Sequence, residues 1–239
     1  MERKRIIAFL TDLRRVILKS LGAVVISGIV SFIYAKDIIK LLLKVTDLQV
    51  YYLSLPEVFF TTVELALYGG IFFAFPIIIY LIWHELKGTL GIRPIYGYLF
   101  VFFAVALFYG GSLFCYCFVL PSGTKFLLSY EGGAIRAMIS VERFVLFCTA
   151  MIFAFGVTFE IPIIMMALAK IGIVKSRVLS KTRRYAILVV SIVAAVITPT
   201  PDVYNMMLLA VPMYILYEAG IVLMKIVEKK DIPEERPVQ

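Results

Sequence analysis

Long apolar stretches constrain the fold of this chain more than any other feature of its sequence. They lie near residues 16–35, 58–83, 98–120, 144–169 and 204–224, with a shorter run at 185–197. About 20 apolar residues are enough for a helix to cross roughly 30 Å of hydrocarbon. The chain is also 62% hydrophobic and only 17% charged, with a mean hydropathy of +0.97. These features predict an all-α polytopic membrane protein with six transmembrane helices in a single transmembrane domain, residues 1–239.

Lysine and arginine residues are distributed unevenly between the predicted loops. If both termini lie in the cytoplasm, that side carries 18 basic residues and the outer side carries six. The positive-inside rule therefore predicts N- and C-termini in the cytoplasm, and it explains the net charge of +8 without nucleic acid as a partner. The N-terminus lacks the pattern of a cleaved signal peptide and is expected to be retained. The outer segments 36–57 and 121–142 contain amphipathic runs and are predicted to form short cap helices.

The spans lack the residues that common enzymatic chemistries require. His84 is the only histidine, and Gly88 stands where a zinc-protease helix would have its second one. No span supplies a nucleophile with a base, an aspartate pair or a Gly-rich phosphate loop. The sequence therefore predicts a protein that is not an enzyme and has no cofactor or metal site. Cys115, Cys117 and Cys148 fall within spans and are interpreted as small, buried apolar residues.

Three carboxylates lie within the predicted spans: Glu64, Glu160 and Glu218. A charged side chain at the bilayer centre costs about 2.5–3.5 kcal/mol on insertion scales, so each of them needs an explanation. Glu64 and Glu218 are each about 9 Å from a helix end and are predicted to be solvated or locally paired. Glu160 is about 25 Å from the outer end and 14 Å from the inner end, so its side chain has no short route to water.

A proline follows Glu160 by two positions. The ring of Pro162 clashes with the carbonyl of Thr158 and cannot donate to it, so the helix is predicted to kink there. The freed backbone acceptors and the carboxyl group form a polar spot within hydrocarbon. Two interpretations remain open: another helix docks on this spot, or a protonated Glu160 makes an internal hydrogen bond to a neighbouring span.

The last two predicted helices form a hairpin joined by TPTPDVYN, residues 198–205. Its prolines end one helix, and Asp202 is a suitable N-cap for the next. A helix confined to residues 185–197 reaches only about 20 Å, which is less than the thickness of the hydrocarbon. The bilayer is therefore expected to thin here, or other protein segments to cover the helix.

Three segments carry a resemblance to a known family: FGVTFEIPIIMMALAKIGIV (155–174), RRYAILVVSIVAAVITPTPDVYNMMLLAVPMYILYEAGI (183–221) and FLTDLRRVI (9–17). Two further segments are similar to the same family and in register with it: SLPEVFFTTVELAL (54–67) and FPIIIYLIW (75–83). In this order they resemble TatC, the multispanning component of the twin-arginine protein translocase, across nearly the whole chain.

The resemblance implies a function in protein export. Members of this family are the receptor and assembly core for export of folded proteins across the bacterial or archaeal cytoplasmic membrane, or the thylakoid membrane. They bind twin-arginine signal peptides and work with single-span TatA and TatB partners, driven by the proton-motive force. The implied partners are therefore TatA/TatB-like proteins, signal peptides, the lipid bilayer and further copies of the chain in a homo-oligomer.

The resemblance also implies a signal-peptide site on the cytoplasmic side. Asp12 matches the acidic position that faces the arginines of the signal, and a carboxylate can accept a bidentate guanidinium contact. Arg14 matches the motif arginine, and Leu10 and Leu13 belong to the apolar stripe of the same helix. Glu85 is the only acid in the first cytoplasmic loop. From the residues alone, Asp12 pairing with an arginine three positions on, Arg15, is the alternative.

A second set of matched positions lies in the membrane. Glu160 matches the intramembrane glutamate of the fourth helix of the family, which is implicated in contact with a polar residue on a partner helix. Thr158 and Pro162 flank it, and Met206 stands where a glutamine of the sixth helix is expected. Pro201 and Asp202 match the outer Pro-Asp turn.

The chain departs from the family pattern at several positions. Phe9 replaces a histidine, and Pro94 stands where the first cytoplasmic loop usually has a glutamate. Val58 replaces a proline, with Pro56 nearby. These differences affect signal recognition more than the fold. They predict altered substrates or a binding site that another subunit completes.

Two other functions are compatible with the residues. A proton- or ion-coupled transporter of small solutes would use Glu64, Glu160 and Glu218 as proton sites. Such a carrier predicts internal repeats, and residues 1–120 and 121–239 do not resemble each other. The other alternative is a passive membrane scaffold.

Overall fold

The structure is a computed structural model that describes residues 2–46, 50–54, 56–90, 94–129, 138–170, 172–198 and 202–230. Within these ranges, side chains are described except at residues 2–10, 12–13, 85–90, 94–96 and 229–230. The helices are α1 Glu2–Ile33, α2 Ala35–Thr46, α3 Glu57–Leu90, α4 Pro94–Phe114, α5 Leu120–Leu128, α6 Val141–Phe159, α7 Ile161–Lys170, α8 Ser176–Lys181, α9 Arg183–Ile197 and α10 Val203–Lys230. A π-helical segment, Cys115–Val119, joins α4 to α5, and two short strands are β1 Val50–Tyr51 and β2 Ile139–Ser140.

In the described part of the chain, five helical segments are long and apolar enough to cross a membrane. They are Arg14–Ile33, Glu57–His84, Gly97–Leu128, Val141–Lys170 and Val203–Glu228. The sixth predicted span is α9, which has 15 residues and a length of about 22 Å. The short helix that the sequence predicts is therefore present, and its complete crossing of the bilayer stays a prediction.

Small residues allow a close helix crossing between α1 and α3. A Cβ atom on Gly70 would lie 2.9 Å from the carbonyl oxygen of Val24 and 3.1 Å from the Cα of Gly28. The Oγ of Ser31 donates to the carbonyl of Leu65 at 3.3 Å across the same interface. Helix association in lipid depends on such close packing, because lipid tails are as apolar as the helix surfaces.

Further glycines lie where α6 and α7 meet their neighbours. A Cβ on Gly111 of α4 would lie 2.6 Å from the Cγ of Phe159 and 2.7 Å from the carbonyl oxygen of Phe155. A Cβ on Gly220 of α10 would lie 2.5 Å from the Sδ of Met165. The core therefore centres on α6 and α7, which pack between α4 and α10.

The end of the bundle that the sequence assigns to the outer side contains the predicted cap helices α2 and α5 and a parallel pairing of β1 with β2. One carboxylate joins these outer segments to α3 and α6. Glu57 is only 4% exposed, and it accepts hydrogen bonds from the backbone N–H of Leu53 at 2.6 Å and Ser54 at 3.2 Å. It also accepts from the Oγ of Ser140 and from the N–H of Glu142 at 3.3 Å. The starts of α3 and α6 therefore lie at the same level.

The three cysteines are all free, and their burial differs. Cys115 and Cys148 are fully buried in the core. The prediction of burial is wrong for Cys117, which is exposed. Cys117 lies two positions from Cys115 within the π-helical segment, so the two side chains face different directions.

Candidate functional site

The long fourth span breaks at Glu160, as the sequence predicts. α6 ends at Phe159 and α7 begins at Ile161, with Glu160 at φ −74° and ψ −18° between them. The N–H of Glu160 donates to the carbonyl of Val157 at 3.1 Å, which is a tighter turn than that of an α-helix. The cause is Pro162, which has no N–H to donate and whose ring excludes the carbonyl of Thr158 from the regular position.

Glu160 is buried at this break. Its side chain is 6% exposed, and Thr158 beside it is 3% exposed. Its Oε1 atom is inaccessible and accepts no hydrogen bond from any residue that the structure describes. Thr158 and Pro162 are also buried, and a Cβ on Gly220 of α10 would lie 3.3 Å from the Cα of Pro162. A carboxyl group in this position lacks the partner that buried polar groups require.

An apolar groove of about 800 Å³ runs beside the break. Its walls are formed by Tyr68, Ala150, Phe153, Ala154, Val157, Thr158, Ile161, Leu179, Thr182, Tyr185, Ala186, Val189, Val190, Val193, Ile197, Met213 and Tyr217. Thr158 and Ile161, which flank Glu160 in the sequence, belong to this wall, whereas Glu160 itself does not. Val157 is 45% and Val189 56% exposed, so the groove is open along its length.

The dimensions of the groove match one face of a helix. From Ala150 to Ile161 the α6–α7 wall is about 16 Å long, and from Thr182 to Ile197 the α9 wall is about 22 Å long. A helix is roughly 10 Å in diameter, so a segment of 16 Å occupies about 1,300 Å³. A groove of about 800 Å³ is smaller than such a segment, so it can hold one side of a helix while the other side faces lipid.

Glu218 has the local partner that its position predicts. The Nη2 of Arg183 lies 2.8 Å from Oε2 of Glu218, and the hydroxyl of Tyr214 donates to Oε1 at 3.1 Å. Arg183 and Glu218 lie at the end of the groove assigned to the cytoplasm, next to Thr182 and Tyr217 in its wall. This ion pair connects the start of α9 to α10.

Glu64 differs from Glu218. Its Oε2 atom is inaccessible and has no hydrogen-bond partner within the described ranges, although the residue is partly exposed. Of the two states that the sequence predicts for Glu64, solvated or locally paired, the described residues show no local partner, and the side chain is partly exposed. The described residues also contain no group of three or more His, Cys, Asp or Glu side chains able to hold a metal ion.

On the outer side, Asp202 caps α10 as predicted. Its Oδ1 accepts from the N–H of Asn205 at 2.7 Å, and its Oδ2 accepts from the Nδ2 of Asn205 at 2.9 Å. Met206 packs against the main core, as does Ile161, without a described contact to Glu160. Pro201 lies outside the described residues.

The predicted signal-peptide residues fall at the edge of the described part. α1 contains Leu10, Asp12 and Leu13, and α3 contains Glu85, but these four side chains lie outside the described ranges. Arg14 is exposed on α1. Their assembly into one site therefore stays a prediction.

Sequence reasoning missed Glu57, although a signal for it was present. In SLPE, residues 54–57, a serine precedes a glutamate by three positions, which is the pattern of a capping box. The bond from the N–H of Ser54 to Glu57 is the backbone half of that motif. Its contacts with Ser140 and Glu142, more than 80 residues along the chain, have no local signal.

The family model "Sec-independent protein translocase protein (TatC)" matches residues 8–212. The Sec-independent protein translocase protein TatC of Carboxydothermus hydrogenoformans is 34% identical over 239 residues, covering 95% of each chain. The protein of the same name from Aquifex aeolicus is 30% identical, covering 92% of this chain and 95% of its own length.

The fold also matches that of a solved structure. A crystal structure of the twin-arginine translocase receptor TatC matches with a TM-score of 0.82 and 30% identity, covering 92% of this chain and 99% of that one. Helix order, the intramembrane break and the matches in sequence and fold lead to one conclusion: this multi-pass membrane protein belongs to the TatC family.

Proposed function

We propose that this chain is the receptor and assembly subunit of a twin-arginine translocase in a bacterial or archaeal cytoplasmic membrane. In this function it binds twin-arginine signal peptides at its cytoplasmic face and docks TatA/TatB-like single-span proteins for export of folded proteins. Further copies of the chain complete a homo-oligomeric complex. The names of its relatives, which are Sec-independent translocase proteins and a translocase receptor, support this proposal.

The observation that carries the docking part is the carboxyl group of Glu160. It lies at a helix break, 6% exposed, with one oxygen lacking a hydrogen bond among the described residues. Its neighbours in the sequence, Thr158 and Ile161, line an open, apolar groove. A partner helix with a polar side chain at this depth gives Glu160 the hydrogen bond it lacks, in surroundings where water does not compete.

Signal recognition is assigned to the N-terminal part of α1. Asp12 provides the carboxylate for a guanidinium group, and Arg14, Leu10 and Leu13 form the adjoining surface. Glu85 is the acid that the first cytoplasmic loop offers in place of the glutamate replaced by Pro94. An arginine–carboxylate contact at the membrane surface is favoured by its bidentate geometry.

The test is export of a folded fluorescent reporter with a twin-arginine signal. Cells that lack their own TatC receive this chain together with the TatA/TatB-like proteins of the same organism. We expect Asp12→Ala and Glu160→Ala each to reduce export about tenfold or more, since a lost hydrogen bond to a charged group costs about 1.5–3 kcal/mol. Both variants are expected to insert into the membrane at the parental level.

Glu142→Ala is the matched control, because it removes another glutamate of the same span, at the start of α6. Its export is expected to stay near that of the parent. Undiminished export by Glu160→Ala would reject the docking assignment, and undiminished export by Asp12→Ala would reject the signal site. No export by the parent with its own partners would reject the function as a whole.

A further inference from the structure

A second carboxyl group in the membrane, Glu64 on α3, lacks a partner, and its level in the bundle is fixed by two contacts between α3 and α6. At the outer end, Glu57 accepts a hydrogen bond from the N–H of Glu142. Eleven residues further along each helix, the rings of Tyr68 and Phe153 are 6.4 Å apart. The two helices run in the same direction and stay in register over this distance, so Glu64 is level with Thr149.

Three hydroxyl groups close to this level donate to backbone carbonyl groups. Thr149 donates to the carbonyl of Val145 at 2.7 Å, and Thr61 donates to that of Glu57 at 2.8 Å. Ser31 of α1 donates to the carbonyl of Leu65 at 3.3 Å. None of them is directed at the carboxyl of Glu64, whose Oε2 is inaccessible and unbonded within the described chain.

Glu64 lies one helical turn from the outer end of the apolar groove, whose wall it does not itself form. Tyr68, one helical turn further into the membrane, and Ala150, next to Thr149, form that end of the wall. By the same register, Glu64 and Glu160 are separated by 11 residues along the helices, or about 16 Å. On an α-helix, positions 11 apart complete just over three turns of 3.6 residues and point in nearly the same direction.

We propose that Glu64 is a second docking point of the groove, which takes a hydrogen-bond donor on the same transmembrane helix that docks at Glu160. The occupant is one helix of a single-span partner with an amide, hydroxyl or basic side chain in its outer third, about 11 residues from the position facing Glu160. This proposal rests on the proposed function, in which the groove takes a transmembrane helix. The pair of carboxyl groups fixes both the depth and the rotation of that helix.

The test uses designed single-span helices of leucine and alanine, with cytoplasmic lysines that fix their orientation and a cytoplasmic fluorescent protein. One has a glutamine at the level of Glu64, one has it at the level of Glu160, and one has none. Each designed helix is co-expressed with the full chain in cells without their own Tat proteins. The full chain carries a second fluorescent label at its C-terminus. Energy transfer and co-purification measure binding.

We expect each glutamine to raise binding about three- to tenfold over the apolar helix, in line with hydrogen bonds between transmembrane helices. Glu64→Leu is expected to remove only the binding preference for the helix with the outer glutamine. Glu160→Leu is expected to remove only the preference for the helix with the deeper glutamine. Glu64→Gln is expected to keep part of the outer preference, because an amide also accepts a hydrogen bond.

The results separate the two proposals. An outer preference that is missing, or that survives Glu64→Leu, overturns the assignment of Glu64 while leaving docking at Glu160 intact. A missing deep preference, or failure of all three helices to bind, overturns the groove and Glu64 with it. A lower unfolding temperature for Glu64→Leu in the isolated chain assigns the carboxyl to a contact within the chain, which also overturns the proposal.

Discussion

At the scale of single residues, the carboxylates of this chain are distinguished by their hydrogen-bond partners. Glu57 is buried, and four donors surround it. Glu218 has Arg183 and Tyr214. Glu64 and Glu160 each retain an inaccessible oxygen without a described partner. Satisfied carboxylates hold the bundle together, whereas unsatisfied ones are the positions where an external donor contributes binding energy.

Glu57→Ala is expected to loosen the outer side of the bundle. The substitution leaves the N–H groups of Leu53 and Ser54 and the hydroxyl of Ser140 without their common acceptor. We expect the unfolding temperature in detergent to fall by about 2–4 °C or more, and the outer segments to be cleaved faster by protease. Glu142→Ala removes an equal charge but keeps the backbone N–H that contacts Glu57, so its stability should change less. Equal stability of the two variants would contradict this assignment.

At the scale of elements, glycines decide how closely α6 and α7 approach their neighbours. Gly110 and Gly111 are adjacent in α4, yet only Gly111 faces the end of α6. This close approach positions the residues just before Glu160. The break itself follows from Pro162 and is local, whereas its placement against α4 and α10 depends on small residues in those helices.

Gly111→Ala is expected to destabilise the protein by about 1–3 kcal/mol, the usual cost of overpacking. Its Cβ would lie 2.6 Å from the Cγ of Phe159 and 2.7 Å from a backbone oxygen. Gly110→Ala has nothing within 4 Å of its Cβ and is expected to be neutral or slightly stabilising, since alanine favours a helix over glycine. Reversible unfolding in mixed detergent measures both. A Gly111→Ala protein as stable as Gly110→Ala would disprove the close packing.

At the scale of the whole molecule, the groove is formed by residues from α3, α6, α7, α8, α9 and α10. Its walls are mainly apolar and partly exposed, although two threonines and three tyrosines also line them. Glu64, Glu160 and the Arg183–Glu218 pair lie within four positions of lining residues in the sequence. Such a surface favours an apolar helix with a few polar side chains over a soluble ligand.

Ala186→Trp is expected to fill the groove and to reduce export and partner binding about tenfold or more, because a docked helix would lose close packing along its face. Ala186 lines the groove, whereas Ile187, the next residue of α9, is 51% exposed and does not. Ile187→Trp is therefore the matched control and should export normally. Equal export by the two variants would show that no helix occupies the groove.

The sequence by itself determined the apolar spans, the short α9, the cap helices, the break at Glu160 and the N-cap at Asp202. These features depend on hydropathy over about 20 residues or on the backbone chemistry of a few neighbours. The tertiary structure alone decided the rest: the contacts of Glu57 with Ser140 and Glu142, the exposure of Cys117, and which carboxyl groups stay without a described partner. Side-chain pairing depends on which helix faces meet, and those faces belong to residues far apart in the chain.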